Sequence, residues 1–455
     1  MNYRTFLESK RIESKNLGFK IEPNKLNDKL FDFQKDMVIW ALRKGKCAIF
    51  ADTGLGKTLM QLEWAKQLNN TALIVAPLAV SRQTKHEGAK FGYNVNIVAN
   101  PEDIIDGINI TNYGKLHKFD LSKIDSIVLD ESSILKSQSG KYRTELIQKT
   151  LHHKYKLACT ATPAPNDYME LGNHSEFLGQ MRMKEMLSMF FVNDCKQTQK
   201  WRLKRHAIDR FWGWVASWAA IISKPSDLGY KDDGFVLPAL NIINHRVESN
   251  KILPGFLFPK MAETLTERRG ARRESVLDKI ELTKRLILSN GNISLVWCDL
   301  NYESEMLAKN IDGSVEIKGA DSDEHKENSM IDFASGKIKT LITKPQIAGF
   351  GMNWQVCNNV IFFGLSDSFE RYYQAIRRCW RFGQKKEVNV NILTSDIEGN
   401  VIDNINRKEK DANDMRKMMV EHTRKFVIEN IKEAHYQKEN YQANESIILP
   451  DFIRR

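Results

Sequence analysis

Cysteine is sparse in this 455-residue chain. The six present (Cys47, Cys159, Cys195, Cys298, Cys357 and Cys379) lie far apart, and no two form a C-x-x-C pair. That spacing excludes a disulfide framework and the common zinc sites, leaving buried core thiols as the expectation. Long hydrophobic runs are missing too. The longest, "FWGWVASWAAII" from Phe211 to Ile222, falls well short of the roughly 20 residues that span a bilayer. The opening "MNYRTFLESKRIESK" has no apolar core of a signal peptide, so a cytoplasmic protein without membrane partners is expected. No solenoid-length repeat or low-complexity tract occurs, which removes repeat and linker architectures.

What remains is a globular composition with a charge bias. Hydrophobic residues make up 42% of the chain, while Lys and Arg number 68 against 57 Asp and Glu, a formal charge of +11. An excess of that sign in a foldable chain favours a polyanionic partner, nucleic acid first.

Apolar strands alternate with helical stretches twice. The first set is "CAIFA", "TALIVA", "VNIVA", "INIT", "SIVLD" and "KLACT", between residues 45 and 162; the second is "ISLVWC", "SVEIK", "KTLIT", "NVIFFG" and "VNVNIL", between 275 and 394. Each set has the rhythm of a mostly parallel α/β sheet. The expected organisation is an N-terminal extension (1–30), a first α/β domain (31–166), a basic, Trp-rich helical insertion and linker (167–274), a second α/β domain (275–396) and a helical C-terminal extension (397–455). Within the insertion, Trp201, Trp212, Trp214 and Trp218 cluster, and Phe211, Trp214, Trp218 and Ile221 are spaced as one helix face, which reads as core rather than as a base-stacking platform. Residues 181–290 hold 20 Lys and Arg against 12 Asp and Glu, a net +8. Positive charge is thus concentrated where the two halves meet.

Three motifs carry chemistry. "ADTGLGKT" (Ala51 to Thr58) follows a strand and opens a helix, the context in which backbone N–H groups and a helix N-terminus cradle phosphates. Here Thr53, Gly54 and Gly56 form the turn, Lys57 neutralises the β and γ phosphates, and Thr58 ligates Mg²⁺. "DSIVLDESS" delivers Asp130, for the metal, and Glu131, as general base, at a strand end. "YYQAIRRCWRFGQ" puts Arg378 and Arg381 three apart on one face, suited to act as arginine fingers. Near it, "ITKPQIAGFGMNWQ" has Gly349 and Gly351, which free the backbone for close approach. Each motif alone has a plainer reading as a solvated loop or charged helix face; their succession in one chain favours the chemical one.

Together these motifs resemble those of the superfamily two helicases, and within them the Swi/Snf-type DNA translocases, the compact helicase-like proteins of bacteriophages most of all. The resemblance implies two tandem RecA-like domains and ATP with Mg²⁺ as cofactors. It further implies that Gln34 reads adenine and that Gly351 and Gln374 border the nucleotide. "LIVAPLAVSRQTKHE" with Pro77, "ITNYGKL" with Thr111, and Thr343 resemble nucleic-acid-contacting motifs. Thr160 and Thr162 in "CTATPAPND" resemble the motif that couples the ATP site to the track. "QAIRRCWRFGQ" resembles Q-A-x-D-R-A-H-R-I-G-Q, whose Gly383-Gln384 ending points to the Swi/Snf branch. Three departures stand out: Ser132-Ser133 for Ala-His, Arg377 for Asp, and Trp380 for His. A separate basic stretch, "LTERRGARRES", places Arg268, Arg269, Arg272 and Arg273 on one broad helix face suited to phosphates, or simply to solvent. The resulting expectation is an ATP-driven translocase on DNA, duplex favoured. The alternatives are a strand-separating DNA or RNA helicase and, from another class, an inactive nucleic-acid-binding scaffold.

Overall fold

Short aliphatic strands joined by amphipathic stretches leave a chain few options besides parallel sheets covered by helices, and the computed structural model contains two such sheets. It describes residues 14–78, 80–136, 141–164, 167–193, 201–247, 275–291, 293–349, 352–366, 368–395 and 401–435.

The first half uses helices α1 (Asp32–Lys44), α2 (Lys57–Leu68), α3 (Val80–Lys90) and α4 (Ile208–Trp218) and strands β1 (Lys46–Ala51), β2 (Ala72–Ala76), β3 (Val95–Ile97), β4 (Ile108–Asn112), β5 (Ser126–Asp130), β6 (Tyr155–Cys159), β7 (Phe191–Asn193), β8 (Trp201–Leu203) and β9 (Ala219–Ile222). Seven of these strands form one parallel sheet in the order β3-β4-β2-β5-β6-β1-β9, while β7 and β8 make a separate antiparallel ribbon. Strand alternation divides β1 between two cores. Cys47, Ile49 and Ala51 pack with α1 and α2, whereas Ala48 and Phe50 pack with α4. The second half contributes β10 (Leu240–Val247), β11 (Ser294–Trp297), β12 (Ser314–Glu316), β13 (Thr340–Thr343), β14 (Asn359–Phe362) and β15 (Val388–Ser395), in the parallel order β10-β15-β14-β11-β13-β12. These are the two tandem RecA-like domains expected.

The segment expected as a helical insertion is corrected in three places. Its apolar run does not continue as a helix to Ile222: α4 ends at Trp218, and Ala219, with φ −128° and ψ 130°, starts β9. β9 then pairs in register with β1, Ala51 against Ile222. Trp212, Trp214 and Trp218 are buried in the core of the first domain, so the tryptophans belong to that domain. Residues 240–247 pair in parallel with β15, so the second sheet begins well before residue 275. As an edge strand, β10 buries little of its surface, which is why no apolar alternation marked it.

Helix α5 (Phe369–Ile376) precedes β15, and the chain ends its described part in α6 (Val401–His435), 35 residues long. At 1.5 Å per residue α6 extends about 52 Å. Val401 and Ile405 lie in the core of the second domain, Met419 in one core of the first, and Val427 and Ile431 in the other. One helix therefore straps both domains. Among the described residues no helix is long and apolar enough to cross a membrane, and the five described cysteines are buried and free.

Candidate active site

In a parallel sheet, ligands collect where the carboxyl ends of the strands meet a switch in strand order. Strands β5, β6 and β1 are neighbours, with Asp130 level with Cys159 and Cys159 level with Ile49. Asp130, Thr160 and the turn after Ala51 are therefore brought to one edge. Ala51 itself is extended, fully buried and paired to Ile222, so the first position of the loop needs no glycine. Gly54 and Gly56 do: their φ values are +89° and +80°. A Cβ on Gly54 would come within 2.9 Å of the Phe382 nitrogen of the other domain, and one on Gly56 within 2.2 Å of Gln34 Nε2.

A cleft of about 250 Å³ opens between the domains, lined from the first by Thr53, Gly54, Gly56, Lys57, Thr58, Asp130 and Glu131 and from the second by Arg378, Arg381 and Phe382. Lys57 Nζ donates to the carbonyls of Ala51 (2.8 Å) and Asp52 (3.2 Å). Asp130 accepts from Gln61 Nε2 at 2.7 Å, and its carbonyl accepts from Tyr113 Oη at 2.8 Å. Glu131 has φ +52°, a left-handed conformation uncommon outside glycine. Its carboxylate accepts from Thr160 Oγ1 at 3.1 Å, and that hydroxyl in turn accepts from the Thr162 N–H. Of the two threonines expected to couple, Thr160 thus touches the expected base directly and Thr162 reaches it through Thr160.

Charge in the cleft is buried on both walls. Burial, then the neighbouring Glu131, pushes the Asp130 carboxyl up to about 6. Burial, then Arg378, brings the Arg381 guanidinium down to about 10, and burial lowers Arg378 as well. Burial likewise lowers Lys57. Buried carboxylates on one wall face buried guanidinium groups on the other, a pattern that suits a divalent metal bound to a polyphosphate. Thr58 and Asp130 are the residues that would hold Mg²⁺.

Other expected residues stand differently. The Gln34 amide is spent on backbone, donating to the Leu55 carbonyl and accepting from the Phe31 N–H. Gln374 does not line the cleft; it is fully buried, and its Oε1 accepts from Arg378 Nη2 at 2.8 Å. Its register on α5 makes it a support for the arginine. Thr111 and Thr343, expected at the track, are buried within strands, and Thr343 Oγ1 donates to the Ile317 carbonyl. Thr343 is the last residue of β13 and Thr111 the last but one of β4. Pro77 is half-buried just past β2. Gly351 and the four arginines 268, 269, 272 and 273 lie outside the described residues.

Several contributors escaped the motifs. Gln61 lies four residues after Lys57, on the same face of α2, which was the available signal. Phe31, Phe235 and Phe382 bridge the domains beside the loop, with ring centroids 5.2 Å and 4.8 Å apart in succession. His174 Nε2 lies 3.1 Å from Ser132 Oγ, so a buried histidine from another element stands beside the serine that replaces the usual alanine.

Comparison with known proteins agrees with this geometry. Residues 25–165 match the domain described as the type III restriction enzyme res subunit, and residues 278–383 match the helicase conserved C-terminal domain. The mouse DNA annealing helicase and endonuclease ZRANB3 is 30% identical over 162 residues, and its human counterpart 28% over 168. Each match covers 31% of this chain and 15% of the relative. The structure of S. cerevisiae Dbp5 bound to RNA and ADP BeF3 aligns with 86% of this chain and 93% of its own, at 15% identity and a TM-score of 0.53, a likeness of fold. A Sulfolobus solfataricus SWI2/SNF2 ATPase core in complex with dsDNA aligns over 83% of the chain and 90% of its own at 20% identity, with a TM-score of 0.42. With the res-subunit domain on one side of the cleft and the helicase conserved C-terminal domain on the other, the chain carries the paired domains of a helicase-type, nucleic-acid-dependent ATPase.

Proposed function

We propose that the protein hydrolyses ATP in the interdomain cleft and uses the cycle of closure and release to move along duplex DNA. The observation that carries this reading is the placement of buried charge of opposite sign on the two walls of the cleft, Asp130 and Glu131 facing Arg378 and Arg381. In it, Lys57 and the turn from Thr53 to Gly56 bind the phosphates, and Glu131 takes the proton of the attacking water while Thr160 holds its carboxylate. Mg²⁺, held by Thr58 and Asp130, would supply charge neutralisation at the phosphates. Arg378 and Arg381 stabilise charge that develops on the transferred phosphoryl group, so hydrolysis is fastest with the domains together. A ligand shifts the domains only by its differential contacts in the closed state, and these arginines provide them.

Movement is tested by displacement of a third strand from a triplex on a long duplex. ATP-dependent displacement without loss of the underlying duplex supports translocation. Release of single strands instead would favour a strand-separating helicase, and no displacement with active ATP hydrolysis would reject both.

A further inference from the structure

Asp52, a residue of the phosphate loop with no role in phosphate binding, is engaged by the other domain. Arg377 Nη2 donates to its Oδ2 at 3.0 Å and Tyr373 Oη to its Oδ1 at 2.8 Å, both from the C-terminal end of α5 and the turn after it. Arg416 Nη1, from the strap helix α6, reaches the same Oδ2 at 3.3 Å and the Tyr373 hydroxyl at 2.8 Å. The Arg377 guanidinium is stacked between Tyr373 and Trp380, 5.1 Å and 4.6 Å from their ring centroids, and that of Arg416 lies 4.8 Å from Tyr373. The same carboxylate also accepts from the Thr53 N–H at 2.6 Å, so it shapes the loop while it is gripped from outside. Burial alone would raise the Asp52 carboxyl, yet Arg377, Arg416 and Tyr373 together bring it down to about 2.

Position 377 is where the family motif carries Asp, and an Asp there would face Asp52 across the cleft with like charge. Arg377 converts that repulsion into an ion pair and is joined by one peptide bond to Arg378, which lines the cleft. Gripping Asp52 therefore fixes the backbone from which the arginine finger projects. We infer that Asp52, Arg377, Arg416 and Tyr373 form an interdomain latch, in which Asp52 and Arg377 are positioning residues that set Arg378 against the phosphate loop. The role in catalysis rests on the ATPase reading above; the closure itself does not.

Two measurements separate those claims. Spin labels on Leu151→Cys and Leu288→Cys, exposed residues of the first and second domains, with Cys195→Ser as background, report the interdomain distance without nucleotide. Arg377→Gln is expected to move the distribution to longer distances; an unchanged distribution overturns the latch, whatever the protein does with ATP. For positioning, Asp52→Asn and Arg377→Gln should each lower kcat by roughly 10- to 100-fold, and the double variant by no more than about threefold beyond either, because contacting residues are not additive. Arg377→Gln should leave the Kd for a fluorescent ADP analogue within about threefold, and Arg377→Lys, which keeps the charge, should recover most of kcat. Multiplying effects in the double variant, or no recovery with Lys, would reduce the pair to a structural contact.

Discussion

Each of the two domains is built on a parallel sheet, but they bring opposite chemistry to the cleft between them. The first contributes the loop, Lys57 and two carboxylates; the second contributes two cations, Arg378 and Arg381, whose hydrogen bonds among the described residues run to backbone carbonyls and to Gln374. In the proposed reading the first domain carries both the phosphate contacts and the base, and the second acts on turnover alone, so substitutions in the second domain should spare nucleotide affinity.

The largest effects belong to turnover. Arg378→Ala is expected to lower kcat by on the order of 10³ while nucleotide affinity barely changes, since the arginine acts on the transition state. Glu131→Gln should bind nucleotide normally and lose about 10²- to 10⁴-fold in rate, the worth of a positioned base. Single-turnover kinetics with equilibrium nucleotide binding would check both. Full activity in Arg378→Ala would mean that the second domain does not complete the site.

Loss of binding is expected only from the first domain. Lys57→Ala removes a charge-assisted contact and should weaken ATP by about 10- to 100-fold, from the 1.5–3 kcal/mol typical of such bonds. Equal affinity in wild type and variant, read by titration calorimetry, would remove the loop from the account. A smaller loss is expected from Thr160→Val, which takes one hydrogen bond from Glu131 and should lower kcat by roughly tenfold with little change in KM.

The smallest effect concerns the track. Removing one phosphate contact flattens the dependence of log affinity on log salt by about 0.9 on duplex DNA and weakens all sequences alike. Arg272→Ala should do so if the basic segment touches the backbone; an unchanged slope would leave that arginine solvated.

Much of this was legible because periodicity reports burial. Every strand expected between residues 45 and 162 and between 294 and 394 has a counterpart in the two sheets. Four strands were not legible: the short ribbon β7-β8 of three-residue strands, and two members of the large sheets. β9 continues the apolar pattern of α4 without a break in composition, and β10, an edge strand, alternates too little. The supports around the site were hidden for a different reason. Arg377 was visible as a departure from the family motif, but its partner Asp52 lies 325 residues away, a pairing that only the packing of two sheets reveals. Gln374 read as a nucleotide contact because the motif marks its position and not its direction.

We propose that duplex DNA raises the rate of hydrolysis in the interdomain cleft. Steady-state ATPase with no nucleic acid, single-stranded DNA, duplex DNA and RNA, with Lys57→Ala as the blank, measures this. A low rate alone and strong stimulation by duplex DNA above the other two polymers are expected. A rate unaffected by any nucleic acid, or stimulated by RNA alone, would overturn the translocase reading.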